Sequence, residues 1–380
     1  MPERVKPVCC VIMILCVLLF ASCGKDSQDT AFAGDEDPVL SEENLDVRPE
    51  DLENITEPEI SDDIGEASNE KDDIQSAGDE GEGDEPKPDF NFPVQGVRPY
   101  AVMIDNEGTV PLPQGGLDKA QLIYEAVAEG GTTRLMAVFW NANPEMIGPV
   151  RSARHYFIDY AMEHDAIYIH FGWSPMAKND IARFKINNAN GVSNGWEIFW
   201  DLTNNPNNWQ DSYTSMEKIL AYVDKAGYSK TTDKPLVFEY NETDREIEGG
   251  KDAKKIFIKY SYYTCDYEYD EENKVYWRNR DGKPHMERVS GEQLAAKNII
   301  IQRVNNYTIK GDTEGRQNLD NVGSGTGIYI TCGKMTEISW YKESRTAPTI
   351  YRDSSGNKIV LNPGQTWIQI TPLYAEVNIE

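Results

Sequence analysis

The sequence predicts an α+β protein, with an α/β segment over residues 94–230 followed by a mainly β segment over residues 234–380. Three observations carry this. Short apolar runs alternate with one-sided helical patterns in the first segment. Aromatic and β-branched runs separated by turn residues fill the second. Most of the negative charge is gathered upstream of both.

Residues 24–93 hold 25 Asp/Glu against 4 Lys/Arg, a net of −21, whereas residues 94–380 hold 38 against 31, a net of −7. The low pI therefore describes one stretch and says little about the rest. Such composition cannot bury enough apolar area to offset chain entropy, so this stretch is expected to be a disordered tether. As a flexible coil, about 70 residues span about 45–50 Å, and self-repulsion extends them further. Nucleic acid is a poor partner for a chain this acidic.

Before the acidic stretch come Arg4 and Lys6, an apolar run from Val8 to Phe20, and then Ala21-Ser22-Cys23-Gly24. A positive start, a short hydrophobic run and small residues are the layout of a signal peptide, here residues 1–22. At about 1.5 Å per residue the run makes about 20 Å of helix, short of a hydrocarbon core of about 30 Å. Phe20-Ala21-Ser22-Cys23 resembles the bacterial lipobox, which implies that Cys23 carries lipid and that residues 23–93 tether the folded part to a membrane. Two acyl chains anchor stably where one is marginal. The other reading is a plain secretory signal with Cys23 incidental.

Cys9, Cys10 and Cys16 fall in the leader, so Cys265 and Cys332 remain. Outside the cytoplasm they either form a disulfide or stay as two buried thiols. Two cysteines without a nearby His pair make no zinc site, and no cofactor is expected.

In the first segment, Tyr100–Ile104, Leu122–Tyr124, Leu135–Trp140 and Ala166–Phe171 read as buried strands. Arg151–His164 reads as an amphipathic helix, with Ala153, Tyr156, Phe157, Tyr160, Ala161 and His164 on one stripe and Pro149 at its first turn. Ser174-Pro175 opens a second helix with Ser174 as N-cap, and a third runs over about 215–226. The pattern breaks at Gly227-Tyr228 and Thr231-Thr232-Asp233-Lys234. Beyond it, Lys255–Tyr260, Lys274–Arg278, Asn298–Arg303, Gly327–Thr331, Thr336–Trp340, Lys358–Leu361 and Thr366–Ile370 read as strands between turns such as Asp281-Gly282 and Pro363-Gly364.

The most informative stretch is Gly148-Pro149-Val150-Arg151-Ser152-Ala153-Arg154. It is expected to place Arg151 and Arg154 in the first turns of a helix, whose N-terminus is already positive. Negative charge must answer them. Either a bound carboxylate or phosphate supplies it, or Asp105, Glu125 and Glu129 do so internally. Asp105-Asn106, Glu125, the turn Glu129-Gly130-Gly131-Thr132-Thr133-Arg134 and His170 all follow or precede strands, where α/β sheets place their sites. If the sheet is parallel there, these groups converge at one rim. The candidate anion- or ligand-binding set is thus Asp105, Asn106, Glu125, Glu129, Arg134, Arg151, Ser152, Arg154 and His170. Glu129 and His170 are the catalytic candidates, and a satisfied structural role is the other reading of His170. No Gly-x-Ser-x-Gly elbow supports Ser174 as a nucleophile, and no His-Glu-x-x-His cluster supports a metal. Glu125 and Glu129 form a possible acid–base pair of unknown separation. The aromatics at Tyr260–Tyr269, Trp277, Trp340 and Trp367 either stack sugars or pack a core.

These motifs, with Arg98-Pro99-Tyr100-Ala101-Val102-Met103-Ile104-Asp105-Asn106, His170-Phe171-Gly172, Gly323-Ser324-Gly325-Thr326-Gly327 and Asn362-Pro363-Gly364-Gln365-Thr366-Trp367, resemble the YerB family of Gram-positive lipoproteins. The likeness covers roughly residues 94–380. It implies a two-part fold and an envelope location, and brings no established activity. The family pattern has an Arg and a later His-Asn where this chain has Trp200 and Gln210-Asp211, which weakens an enzymatic reading. The expected role is a membrane-anchored binding or scaffold protein with cell-wall or envelope protein partners. The alternative is an envelope hydrolase acting on wall glycan, peptide or another anionic substrate.

Overall fold

The computed structural model describes residues 90–380 apart from Pro206. The leader, Cys23 and the acidic stretch to residue 89 lie outside the described residues. Five strands of the first segment are β1 (Tyr100–Asn106), β2 (Leu122–Val127), β3 (Thr133–Phe139), β4 (Ile167–His170) and β5 (Asn188–Asn190). Every residue of β1 to β4 is buried, which is why they read as unbroken apolar runs rather than alternating ones. The sheet is mixed: β1 runs antiparallel to β3 and parallel to β4, and β2 runs antiparallel to β3.

The strand Thr366–Pro372 pairs in parallel with β2 on one side and with Asn298–Val304 on the other. Through it the sheet continues to Gly323–Thr331, Lys334–Lys342 and Ile350–Arg352, eleven strands in all. The two sequence segments therefore share one sheet. A second sheet of six strands is built around Lys255–Lys259, Thr264–Asp270 and Val275–Arg280, with Glu376–Ile379 at its edge. The first segment mixes strands with helices and the second is mainly β, so the fold is α+β.

Strand alternation divides the core in two. On one face of the large sheet, Val102, Ile104, Ile123, Ala137, Ile301 and Trp367 pack against Ile256, Ile258, Tyr267 and Tyr276 of the six-stranded sheet. On the other face, Ala101, Met103, Tyr124, Met136, Ile300 and Ile368 are covered by Tyr156, Phe157, Tyr160 and Ala161 of a helix. That helix is α1 (His155–Glu163); α2 (Pro175–Arg183), α3 (Gly191–Asn194) and α4 (Met216–Lys225) follow. Ser174 and Ser215 cap α2 and α4, accepting from the amides of Ala177 and Lys218, each at 3.2 Å. Ser174→Ala, which strips that acceptor from a buried helix start, is expected to lower unfolding free energy by about 1 kcal/mol. Urea denaturation checks this; an unchanged midpoint would mean the cap contributes nothing.

Two expectations need correction. Residues 148–154 are extended and α1 begins only at His155, with Arg154 as its N-cap. Backbone pairing outside the helix explains this: Val150 bridges Ile104, Ala153 bridges Trp173, and the Arg151 amide donates to the Met103 carbonyl at 2.9 Å. The amides that a helical turn would leave free are already paired with neighbouring extended chain. In the second segment, Lys358–Leu361 shrinks to Val360–Leu361, and Thr264–Asp270 is a full strand. Its Tyr/acid alternation has too few aliphatic residues to stand out as a strand in the sequence. No helix among the described residues is long and apolar enough to cross a membrane.

Candidate functional site

The charged candidates lie at one end of the central strands, but alternation sends them to opposite faces of the sheet. Asp105, Arg134 and His170 point to the face covered by α1; Asn106, Glu125 and Thr133 point to the six-stranded sheet. One converging rim was the expectation, and two separate networks are the result. A period of two residues makes neighbours in sequence strangers in space.

On the α1 face, Arg154 holds Glu129 in a bidentate clasp, Nε to Oε1 at 2.5 Å and Nη2 to Oε2 at 2.8 Å. Arg134 donates from Nη1 to the Ser152 carbonyl at 2.9 Å, and its Nη2 lies 3.8 Å from Glu129 Oε2. Its Nε has no partner, although the residue is only 3% exposed. Burial, with the neighbouring charges of Arg154 and Arg151, lowers the Arg134 pKa to about 10. Burial would raise Glu129, yet its bond to Arg154 and the charges of Arg154 and Arg134 hold it below the usual carboxylate value.

Arg151 stands beside this pair. Its Nε is 3.1 Å from Asp105 Oδ2, its Nη2 is 3.4 Å from Glu107 Oε2, and its guanidinium lies 4.1 Å from the Trp209 ring centroid. Gln210 closes the group, donating to Asp105 Oδ2 at 2.8 Å and to the Glu107 carbonyl at 3.1 Å. Trp209 and Gln210 thus belong to the arginine cluster itself, in the stretch where the sequence departs from the family pattern. Asp211 serves the loop instead, accepting from the amide and the hydroxyl of Thr203. Trp200 lies in a two-residue strand paired with Tyr213.

His170 is fully buried, with Nδ1 2.7 Å from the Gly172 carbonyl and Nε2 3.1 Å from Asn188 Oδ1. Burial keeps its pKa below the ordinary histidine value. Both ring nitrogens are occupied, which leaves none for proton transfer to a ligand.

On the opposite face, Glu125 accepts from Thr133 Oγ1 at 2.7 Å, Asn106 Nδ2 at 3.2 Å and Arg278 Nη2 at 2.7 Å. Arg278 also donates to the hydroxyls of Tyr263 at 2.6 Å and Tyr267 at 3.2 Å, and contacts His285. His285 lies 2.7 Å from Gln114 Oε1, and Gln114 and Arg280 both donate to Asn106 Oδ1. This network spans the two sheets. Sequence reasoning missed Arg278, Arg280, His285 and Gln114. A signal existed for two of them: alternation along Val275–Arg280 puts Arg278 and Arg280 on the same side as Tyr276.

Cys265 and Cys332 are free cysteines, both buried. Cys265 faces Gln369 between the sheets, and Cys332 sits in a turn beside Asn362. Trp340 and Trp367 are core residues and offer no sugar-stacking face. Among the described residues, no group of three or more His, Cys, Asp or Glu is placed to hold a metal ion.

Comparison with known proteins adds kinship. Two family models match, described as the N-terminal domain of a protein of unknown function (DUF3048) over residues 91–229 and the C-terminal domain of the same over residues 256–368. A relative from Bacillus subtilis (strain 168), named "Putative lipoprotein YerB", is 33% identical over 286 residues, 72% of this chain and 81% of its own length. The crystal structure of YerB protein from Bacillus subtilis superposes with a TM-score of 0.64 at 30% identity, covering 75% of this chain and 94% of that one. A shared fold at this identity, matched along both segments, places the chain in the YerB-like DUF3048 family of unknown function.

Proposed function

We propose that this protein is a lipid-anchored, extracytoplasmic lipoprotein that binds a component of the cell envelope and does not turn it over. The lipobox-like leader at Cys23, the acidic tether over residues 23–93 and the name of the Bacillus subtilis relative support the anchored location. One observation carries the preference for binding over catalysis: the acid–base candidates are spent on internal partners. Glu125 is held by Arg278, Glu129 by Arg154, and His170 by a carbonyl and an amide. General acid–base chemistry needs a group poised to exchange its proton with a ligand. The most accessible features of the cluster, Trp209 at 56% exposure and Glu107 on its outer side, suit contact.

In-cell cross-linking of the full chain is expected to enrich specific envelope partners over an unrelated lipoprotein. Cys23→Ala is expected to release the protein from the membrane fraction and lose those partners. Equal recovery with the unrelated lipoprotein would end the binding proposal, and unchanged fractionation of Cys23→Ala would end the anchoring.

A further inference from the structure

Arg134 and Arg154 have one carboxylate, Glu129, between them. Arg151 is answered separately, by Asp105 at 3.1 Å and by Glu107 at 3.4 Å. Arg134 retains an Nε without a partner deep in the protein. The adjoining α1 helix, nine residues long, has no side-chain cap and no acidic residue in its first turn. Its leading amides therefore add positive potential at the same place.

Glu129 is an unusual group to balance this. It opens a single turn, Glu129–Gly131, in which Gly130 and Gly131 both have positive φ, 68° and 73°. A side-chain carbon built on Gly130 meets nothing within 4 Å, so the outer side of the turn is open. A side-chain carbon built on Gly131 would instead meet Ser261 and Tyr262 at 3.0 Å, so the other side of the turn is packed. The carboxylate is thus presented from a turn open on one side, in the planar two-point grip that a guanidinium offers to carboxylate and phosphate alike.

We infer that Glu129 is a built-in plug in a phosphate-binding site formed by Arg154 and Arg134, displaced when a phosphate-bearing envelope component docks. This deepens the binding proposal above and rests on it. With Glu129 in place, three guanidinium groups face three carboxylates; with it swung out, Arg151 keeps Asp105 and Glu107 while Arg154 and Arg134 lose the carboxylate they share. Two guanidinium groups freed together offer their donors to the several oxygens of a phosphate monoester, more than a single carboxylate can use. Internal occupation by Glu129 keeps the arginines paired in the unliganded protein, where leaving them buried and unanswered would be costly.

The test titrates the full-length chain with inorganic phosphate, and separately with acetate, by calorimetry near neutral pH. Glu129→Gln is expected to bind phosphate about tenfold or more tightly than the unsubstituted protein, because it no longer competes as an anion. Acetate is expected to bind more weakly than phosphate. Adding Arg154→Ala to Glu129→Gln is expected to abolish the gain. Glu129→Asp, which keeps the charge but shortens the arm, is the second variant should Glu129→Gln not fold, and an intermediate gain is expected. A folded variant with no gain, a gain that survives Arg154→Ala, or acetate binding as tightly as phosphate would overturn the inference. These results leave the cross-linking experiment untouched, so capture of envelope partners without a phosphate gain would remove the plug and keep the binding role.

Discussion

Arg278→Leu is expected to destabilise the fold by about 3–5 kcal/mol, the usual cost of leaving a buried charge without its partner. Arg278 and Glu125 are both 0% exposed, with Nη2 and Oε2 2.7 Å apart. The arginine also joins Tyr263, Tyr267 and His285, so its removal strands a carboxylate and several hydroxyl and ring groups between two apolar layers. It further lies 4.4 Å from the Trp367 ring centroid, so a stacking contact is lost as well. The double substitution Glu125→Leu/Arg278→Leu is expected to recover a large part of the loss, since it removes the stranded charge. Asn106 and Thr133 would still lose an acceptor, so full recovery is not expected. Guanidinium unfolding of both variants distinguishes the cases. A single-variant loss below about 1 kcal/mol, the size of a surface pair, would show that the network carries little.

Stability is also expected to fall as pH drops from about 6.5 towards 4. All four histidines of the chain, His155, His164, His170 and His285, have pKa values lowered by burial. A histidine that is harder to protonate in the folded state takes up protons preferentially when unfolded. Its contribution is complete above the unfolded value of about 6.5 and is lost as pH falls towards the folded value. His164, lowered to about 4, loses on the order of 3 kcal/mol across that window. It is wedged between Tyr124 and Trp140, with Nε2 2.7 Å from the Tyr124 hydroxyl, so protonation has little room for hydration. Glu163, lowered mainly by Lys342 against its own burial, adds a loss below the usual glutamate range. Asp159 works the other way: burial raises it to about 6, so between 3.8 and about 6 the folded state binds its proton more readily and stability rises on acidification. Four histidines against one such carboxyl make the net direction a loss. Urea midpoints at pH 7, 6 and 5 measure it, and His164→Phe, which fills the space without titrating, is expected to flatten the decline. A constant midpoint across those values would refute the linkage.

The large sheet was legible wherever burial on both faces made a continuous apolar run, as in β1 and β3 and in Asn298–Val304. The helix starts at Ser174 and Ser215 were legible because a cap is a local contract between a side chain and an amide three residues on. Residues 148–154 misled for the complementary reason. Their local sequence suits a helix start, but their amides are paired by chain segments distant in sequence. The charged positions Asp105, Glu125, Glu129, Arg134, Arg151, Arg154 and His170 were identifiable as unusual. Which of them meet was not, because that depends on register across three strands and on a second sheet contributed by residues 255–296 and 376–379.

Composition and local pattern were enough for the order of segments, the α+β class, the caps and the cluster of charged residues around Gly148–Arg154, since these depend on contacts within a few residues or on sums over many. Pairing of β2 with Thr366–Pro372, the separation of Glu125 from Glu129 by the sheet, the free state of Cys265 and Cys332, and the seating of Trp209 on Arg151 arose only in three dimensions. Each brings together groups distant in the chain, and no local energy in the sequence specifies such a meeting.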